Sequence, residues 1–147
     1  MAVARGDGKI KLFSVDGGKT PRRIGSWGSG DGQFSSALDV RFTADGEQLV
    51  VADRDNICVQ IFDLSDGSFV RKINVGAKPH AVAVDADGNI IVTTDNHVKV
   101  FSSEGTLLHD RLGGLVIGKA AGGGLDIDPV TGRIAVGDAG AGIVHLL

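Results

Sequence analysis

Gly25–Asp63 reads GSWGSGDGQFSSALDVRFTADGEQLVVADRDNICVQIFD. A glycine-rich loop is followed by an alternating apolar run, an Asp-Gly pair, a second apolar run, a polar turn and a third apolar run. Asp45-Gly46 stands between Val40-Arg41-Phe42 and Leu49-Val50-Val51-Ala52. Asp and Gly tolerate the positive φ angles that tight turns require, so this spacing predicts a β-hairpin. Asp53-Arg54-Asp55-Asn56 makes the next reversal. The stretch as a whole reads as a meander of short antiparallel strands.

The pattern recurs on both sides. VQIFDLSDGSFV has a counterpart in VKVFSSEGTLL (Val98–Leu108) and another in IKLFSVDGGK (Ile10–Lys19). Phe13, Phe62 and Phe101 anchor the copies, 49 and 39 residues apart, and Ile143-Val144-His145-Leu146 lies where a fourth copy would end. A period of about 40–45 residues fits a four-stranded propeller blade. No stretch sustains a 3.6-residue apolar period, and β-branched residues in short runs point to buried strands.

The loop GSWGSGDGQF, the strand end Val51-Ala52-Asp53, Asn56 and the phrase VQIFD resemble NHL repeats, which build β-propellers. INVGAKPHAVAVDADGNIIVTTDNHVKVF is also similar to the YVTN class of propeller repeat. The resemblance implies an all-β fold: a partial NHL-type propeller of antiparallel four-stranded blades, three to four blades' worth in an open arc. The expected division is a partial blade at 1–27, whole blades at 28–75 and 76–113, and a partial blade at 114–147. The first blade is expected to lack its innermost strand and the last its outer strand. Four blades need roughly 160–180 residues, more than the 147 present. Self-association, or membership of a longer chain, is the expected consequence.

Composition narrows the function. The net charge of −3 and pI near 5.7 argue against a general attraction to nucleic acid or anionic membrane. The single cysteine, Cys58, and the absence of an Asn-x-Ser/Thr sequon favour a reducing, cytoplasmic compartment. No apolar run approaches the roughly 20 residues of a membrane span, and Met1–Arg5 is too short an opening for a signal peptide.

Arg5, Arg54, Lys78 and Lys119 fall in loops expected at one face, among Asp7, Asp31, Asp53, Asp55, Asp95 and Asp138. That mixture favours a protein or peptide partner over RNA, whose backbone selects clustered Lys and Arg with stacking aromatics. By resemblance, NHL propellers often follow RING and B-box zinc modules in ubiquitin ligases and choose the substrate. This chain, with one cysteine, carries no such module. The expected function is a protein-binding scaffold module, with no cofactor, whose binding residues are Arg54, Lys78, His80 and Lys119. The two alternatives are an RNA-binding NHL module and a fragment of a metal-dependent lyase.

The lyase alternative rests on His80, which follows Pro79 at the start of an innermost strand. Peptidyl-hydroxyglycine amidating lyases place zinc-binding histidines after a similar Pro-His phrase. A catalytic zinc takes about three protein ligands, whereas the matching positions hold Ala37-Leu38 and Gly124-Leu125. No metal site is therefore expected. Asp53, Asp95 and Asp138 recur at the ends of second strands and are read as structural carboxylates that accept turn amide protons.

Gly113–Ala120 fits seven positions of a phosphate loop but lacks the final hydroxyl that would hold magnesium. Asp85–Asn89 begins like a calcium loop but lacks the later glycine and glutamate, so it reads as a hairpin turn. Cys58 reads as a small core residue. Trp27 and Phe34 are expected to wedge between blades.

Overall fold

The computed structural model describes residues 2–5, 9–13, 22–114 and 124–147, with the backbone alone considered for 2–5. Among the described residues the chain is almost entirely strand, and one 3₁₀ turn at Leu112–Gly114 is the exception.

Four meandering antiparallel sheets follow one another. The first comprises β1 (Ala2–Arg5), β2 (Lys9–Leu12) and β3 (Arg22–Ile24) in that order. A short parallel pair, β4 (Ser26–Trp27) with β5 (Gln33–Phe34), bridges to the second sheet. That sheet is β6 (Ala37–Phe42), β7 (Gln48–Asp53), β8 (Cys58–Asp63) and β9 (Phe69–Asn74). The third is β10 (Pro79–Val84), β11 (Ile90–Thr94), β12 (Val98–Phe101) and β13 (Leu107–His109). The fourth is β14 (Leu125–Ile127), β15 (Ile134–Asp138) and β16 (Ile143–Leu146). Both outer sheets thus have three strands among the described residues, and the sheets do not close into a ring.

Alternation along each strand explains the stacking. In β7, Leu49 and Val51 share a core with Ile10, Ile24, Phe34 and Phe62, facing back to the first sheet. Val50 and Ala52 point the other way and pack with Val59, Ile61 and Ile73 against Val82, Ile90, Val92 and Phe101 of the third. Ala81, Ala83, Ile91, Val98 and Val100 in turn meet Leu125 and Val136 of the fourth. Successive residues of a strand face opposite sides, so each interior sheet has a backward and a forward apolar face. The first strands β6, β10 and β14 lie side by side, β10 between the other two, and β6 also packs on β1.

Polar ties across the seams are unequal. Arg22 of the first sheet donates to the carbonyls of Leu64 and Ser65 in the second. Between second and third, Arg71 donates to Ser103 O and Glu104, and Asp39 Oδ2 accepts the Val82 amide at 3.1 Å. Among the described residues, the side-chain tie to the fourth sheet comes from the second, Arg41 Nη2 to Leu125 O at 3.4 Å.

Two expectations need correction. Phe34 is fully buried, 5.4 Å centroid to centroid from Phe62, but Trp27 is 72% exposed and wedges nothing. In the β4–β5 loop Gln60 holds the backbone at Gly32 and Gln33, away from the indole's own residue. The run Thr106–Leu112, which the sequence predicts as one outer strand, is a strand only over Leu107–His109, after which the chain turns through Leu112–Gly114.

Candidate functional site

The antiparallel register gathers the predicted binding residues at one end of the sheets. Asp53 pairs with Ala37 and Thr94 with Pro79, while the Gly137 amide bonds Gly124 O. The starts of first strands and the turns between second and third strands therefore share an end. Arg54, Lys78, His80 and Asp95 all lie there. Lys119 and Asp7 lie outside the described residues, as does the side chain of Arg5.

Asp53 organises this end. It is fully buried, and its carboxylate accepts the amides of Ser36 at 2.9 Å and Ser35 at 3.2 Å, together with Asn56 Nδ2 at 2.7 Å. Asn56 Nδ2 also reaches Gly28 O. One side chain thus joins the turn after β7 to the loop before β6. The glycine-rich loop has a second anchor in buried Gln60, which accepts from Gly32 N at 2.9 Å and donates to Gln33 O at 2.7 Å. Lys72 pairs with Asp31 of the same loop at 2.9 Å.

The other two sheets build the same corner differently. Thr94, not Asp95, stands in the pairing position of Asp53; its hydroxyl donates to His97 O and accepts from His97 N. The turn at Asp87-Gly88 is one residue shorter than that at Asp45-Gly46, which moves the third sheet's carboxylate one place past the strand. There Asp95 Oδ1 meets His80 Nε2 at 2.6 Å. Asp138 accepts the Ala141 amide at 3.0 Å and lies 3.6 Å from His145 Nε2.

His80 owes its direction to a β-bulge. Pairing skips from Pro79 to Ala81, as it skips from Ala37 to Asp39 in the preceding sheet. A bulge leaves one residue unpaired and re-aims its side chain. Leu38, the bulged residue of the second sheet, is exposed, whereas His80 turns to Asp95. Arg54 pairs with its neighbour Asp55 at 3.2 Å. Ile57, at φ 56°, is the one non-glycine residue with positive φ among those described, and it is partly exposed.

The opposite end carries the Asp-Gly turns. Asp85 accepts the Asp87 and Asn89 amides and Asn89 Nδ2, closing a hairpin. The Thr43 hydroxyl holds the Asp45 carboxyl below its usual range, and the Thr131 hydroxyl does the same for Asp128. A groove of about 320 Å³ opens between the second and third sheets there, over Val50, Ile61 and Ile90.

Among the described residues, no group of three or more His, Cys, Asp or Glu side chains converges to hold a metal ion. Burial, and then the Asp53 carboxylate, push the Cys58 thiol up to about 11, which keeps it protonated and unreactive at neutral pH. No helix is long and apolar enough to cross a membrane among the described residues.

No protein-family model matches the chain, and no curated protein matches it in sequence. Its fold does match solved structures. A gluconolactonase from Xanthomonas campestris superposes with a TM-score of 0.66 at 19% identity over 94% of this chain. Hydrazine synthase from Kuenenia stuttgartiensis gives 0.70 at 15% identity over 95%. Both neighbours are propeller-like, and the likeness shows a β-propeller fold without assigning an NHL repeat. The chain spans 43% and 40% of the lengths of these proteins.

Proposed function

We propose that the chain is a binding module that recognises a protein or peptide with the end of its sheets carrying Arg54, Lys78 and His80. The observation behind this reading is the mixed character of that end. Arg54 and His80 stand beside Asp55 and Asp95, interspersed with the exposed apolar residues Leu38 and Ile57. Balanced charge around scattered apolar groups suits a polypeptide surface, whereas RNA selects uniform positive charge and stacking rings. The 320 Å³ groove is at the opposite end and is not lined by Arg54, Lys78 or His80. The NHL resemblance extends the reading to substrate choice in a ubiquitin-ligase setting.

Selection of a displayed peptide library on the chain tests this, followed by mapping of amide NMR shifts with the best binder. Shifts should concentrate at residues 35–38, 53–57, 78–81 and 95–97. Arg54→Glu combined with Lys78→Glu should weaken binding at least tenfold. Shifts centred on the Asp45 and Asp87 turns would overturn the reading. So would submicromolar, sequence-dependent binding of single-stranded RNA at physiological salt.

A further inference from the structure

The second and third sheets use their turn carboxylates differently. In the second, Asp53 is fully buried and spends its oxygens on Ser35, Ser36 and Asn56. In the third, the Thr94 hydroxyl closes the corresponding turn on His97, which releases Asp95 from that task. Asp95 gives one oxygen, Oδ1, to His80 Nε2 at 2.6 Å; its other oxygen bonds nothing among the described residues, and the side chain is 45% exposed. An ionised carboxylate accepts and does not donate, so the proton between the two belongs to Nε2. That fixes what His80 shows to the outside. Nδ1 has no hydrogen-bond partner among the described residues and is open to solvent. In neutral histidine it is then a bare acceptor, and in the protonated ring a donor.

The surroundings decide which charge suits this nitrogen. Pro79 pairs with Thr94, so Lys78 and Asp95 flank one corner. Lys78 is half-buried and has no ion-pair partner among the described residues. Charges on the neighbouring elements are already matched: Asp39 with Arg41 on β6 at 2.6 Å, and Arg54 with Asp55 after β7 at 3.2 Å. Asp53 of β7 is held by its three donors, Asp126 of β14 accepts the Ile127 amide, and His97 of the same turn acts on Asp110. With His80 neutral, Lys78 and Asp95 cancel. With His80 protonated the corner carries one net positive charge, and Nδ1–H is its open donor.

We infer that this corner reads an acidic side chain of the bound peptide, and that binding takes up one proton onto His80 Nδ1. The inference rests on the proposed peptide recognition and adds the chemistry of the residue recognised. The peptide's carboxylate accepts from Nδ1–H with Lys78 alongside, while Asp95 steadies the imidazolium from the other side of the ring. Histidine changes charge between about pH 5 and 8, so the carboxylate meets a donor at the acid end of that range and a lone pair at the alkaline end. Binding therefore tightens as pH falls. One linked proton alters affinity by at most about tenfold per pH unit.

Two displayed libraries test this, one of random peptides around a fixed aspartate and one around a fixed asparagine, each selected on the chain at pH 6 and pH 8. The aspartate library should yield the tighter binders at pH 6, with amide shifts at residues 78–81 and 95–97. Raising the pH to 8 should weaken them about tenfold or more, and so should exchanging the aspartate for asparagine. Calorimetry in buffers of different ionisation heat should count more than half a proton taken up per complex near pH 7. His80→Gln should abolish both the uptake and the pH dependence with an unchanged circular dichroism spectrum, whereas Lys78→Ala should weaken binding at both pH values and leave the uptake. In the free protein, ¹⁵N shifts of the neutral His80 ring should place its proton on Nε2. A neutral ring protonated on Nδ1 would overturn the inference without any peptide. So would binders at residues 78–81 that are indifferent to the aspartate, binding that tightens toward pH 8, or uptake that survives His80→Gln; in each of these the peptide-binding reading stands. Binders confined to the Asp45 and Asp87 turns, or none at either pH, would sink both.

Discussion

Removing the Asp53 carboxylate should be the costliest single change at the loop end. Asp53→Ala leaves the amides of Ser35 and Ser36 and the Asn56 carboxamide without their common acceptor. A hydrogen bond to a charged group contributes about 1.5–3 kcal/mol, and a stranded buried donor costs about 1–3. The donors sit only partly buried, so water recovers a share of each loss. The expected total is about 3 kcal/mol, a large part of the roughly 5–15 kcal/mol that stabilises an ordinary domain. Asp53→Asn keeps one oxygen but turns an NH₂ toward either a serine amide or Asn56 Nδ2, which should cost about half as much. Equilibrium urea unfolding reads both values; with a slope of about 2 kcal/mol per molar, the alanine variant should unfold about 1.5 M earlier. Hydrogen exchange at Ser35 and Ser36 should quicken before that at Val50 or Val51. An alanine variant within about 1 kcal/mol of the parent, or no worse than the asparagine variant, would refute the assignment of Asp53 as the pin of this corner.

Ile57→Gly should raise the melting temperature, because a branched residue at φ 56° carries about 1–2 kcal/mol of strain and glycine returns only about 0.5–1 of it as chain entropy. Gly142 already holds the corresponding turn position in the fourth sheet at φ 69°; a lowered melting temperature would contradict this. Gly25→Ala should be far more damaging than Gly46→Ala in the same urea assay. A β-carbon at residue 25 would overlap the Phe34 ring, whereas at residue 46 it meets nothing within 4 Å. Alkylation of Cys58 should stay slow in the folded state up to about pH 11 and become fast on unfolding. The sign of the linked pH effect follows. Between roughly pH 9 and 11 the unfolded thiol loses a proton that the folded one keeps, so stability present below that window falls as pH rises through it. In Cys58→Ala that part of the alkaline loss should vanish.

Much of the meander was legible because its signals are local. The limits of β6 and β7 follow from the apolar alternation around Asp45-Gly46, and Phe62 and Phe101 mark third strands because each closes a core between sheets. The corner chemistry was less legible. Asp53 and Asp95 look alike in sequence, each ending a second strand. Yet a one-residue difference in the preceding turn puts Thr94, not Asp95, in the pairing position. His80 is read from sequence as the start of a strand, while a bulge, which pairing alone defines, decides that it meets Asp95. Gln60, inside an apolar run, gives no sign that its amide reaches a loop 27 residues earlier. Trp27 misleads for the opposite reason, since a large aromatic normally signals a core and here the ring lies on the surface.

The unequal seams give the stack a weak joint. Side chains lock the first sheet to the second and the second to the third, through Arg22, Arg71 and Asp39, whereas among the described residues the third and fourth meet through their apolar cluster, with one long hydrogen bond from Arg41 of the second sheet to Leu125 O. Contact between greasy faces gives way gradually under shear, while hydrogen bonds loaded together resist until they fail as a group. A molecule held in a laser trap by residues 9 and 147 should therefore lengthen in two stages. The piece from Leu125 onward should peel away at low tension, and the locked remainder should yield later in one abrupt step.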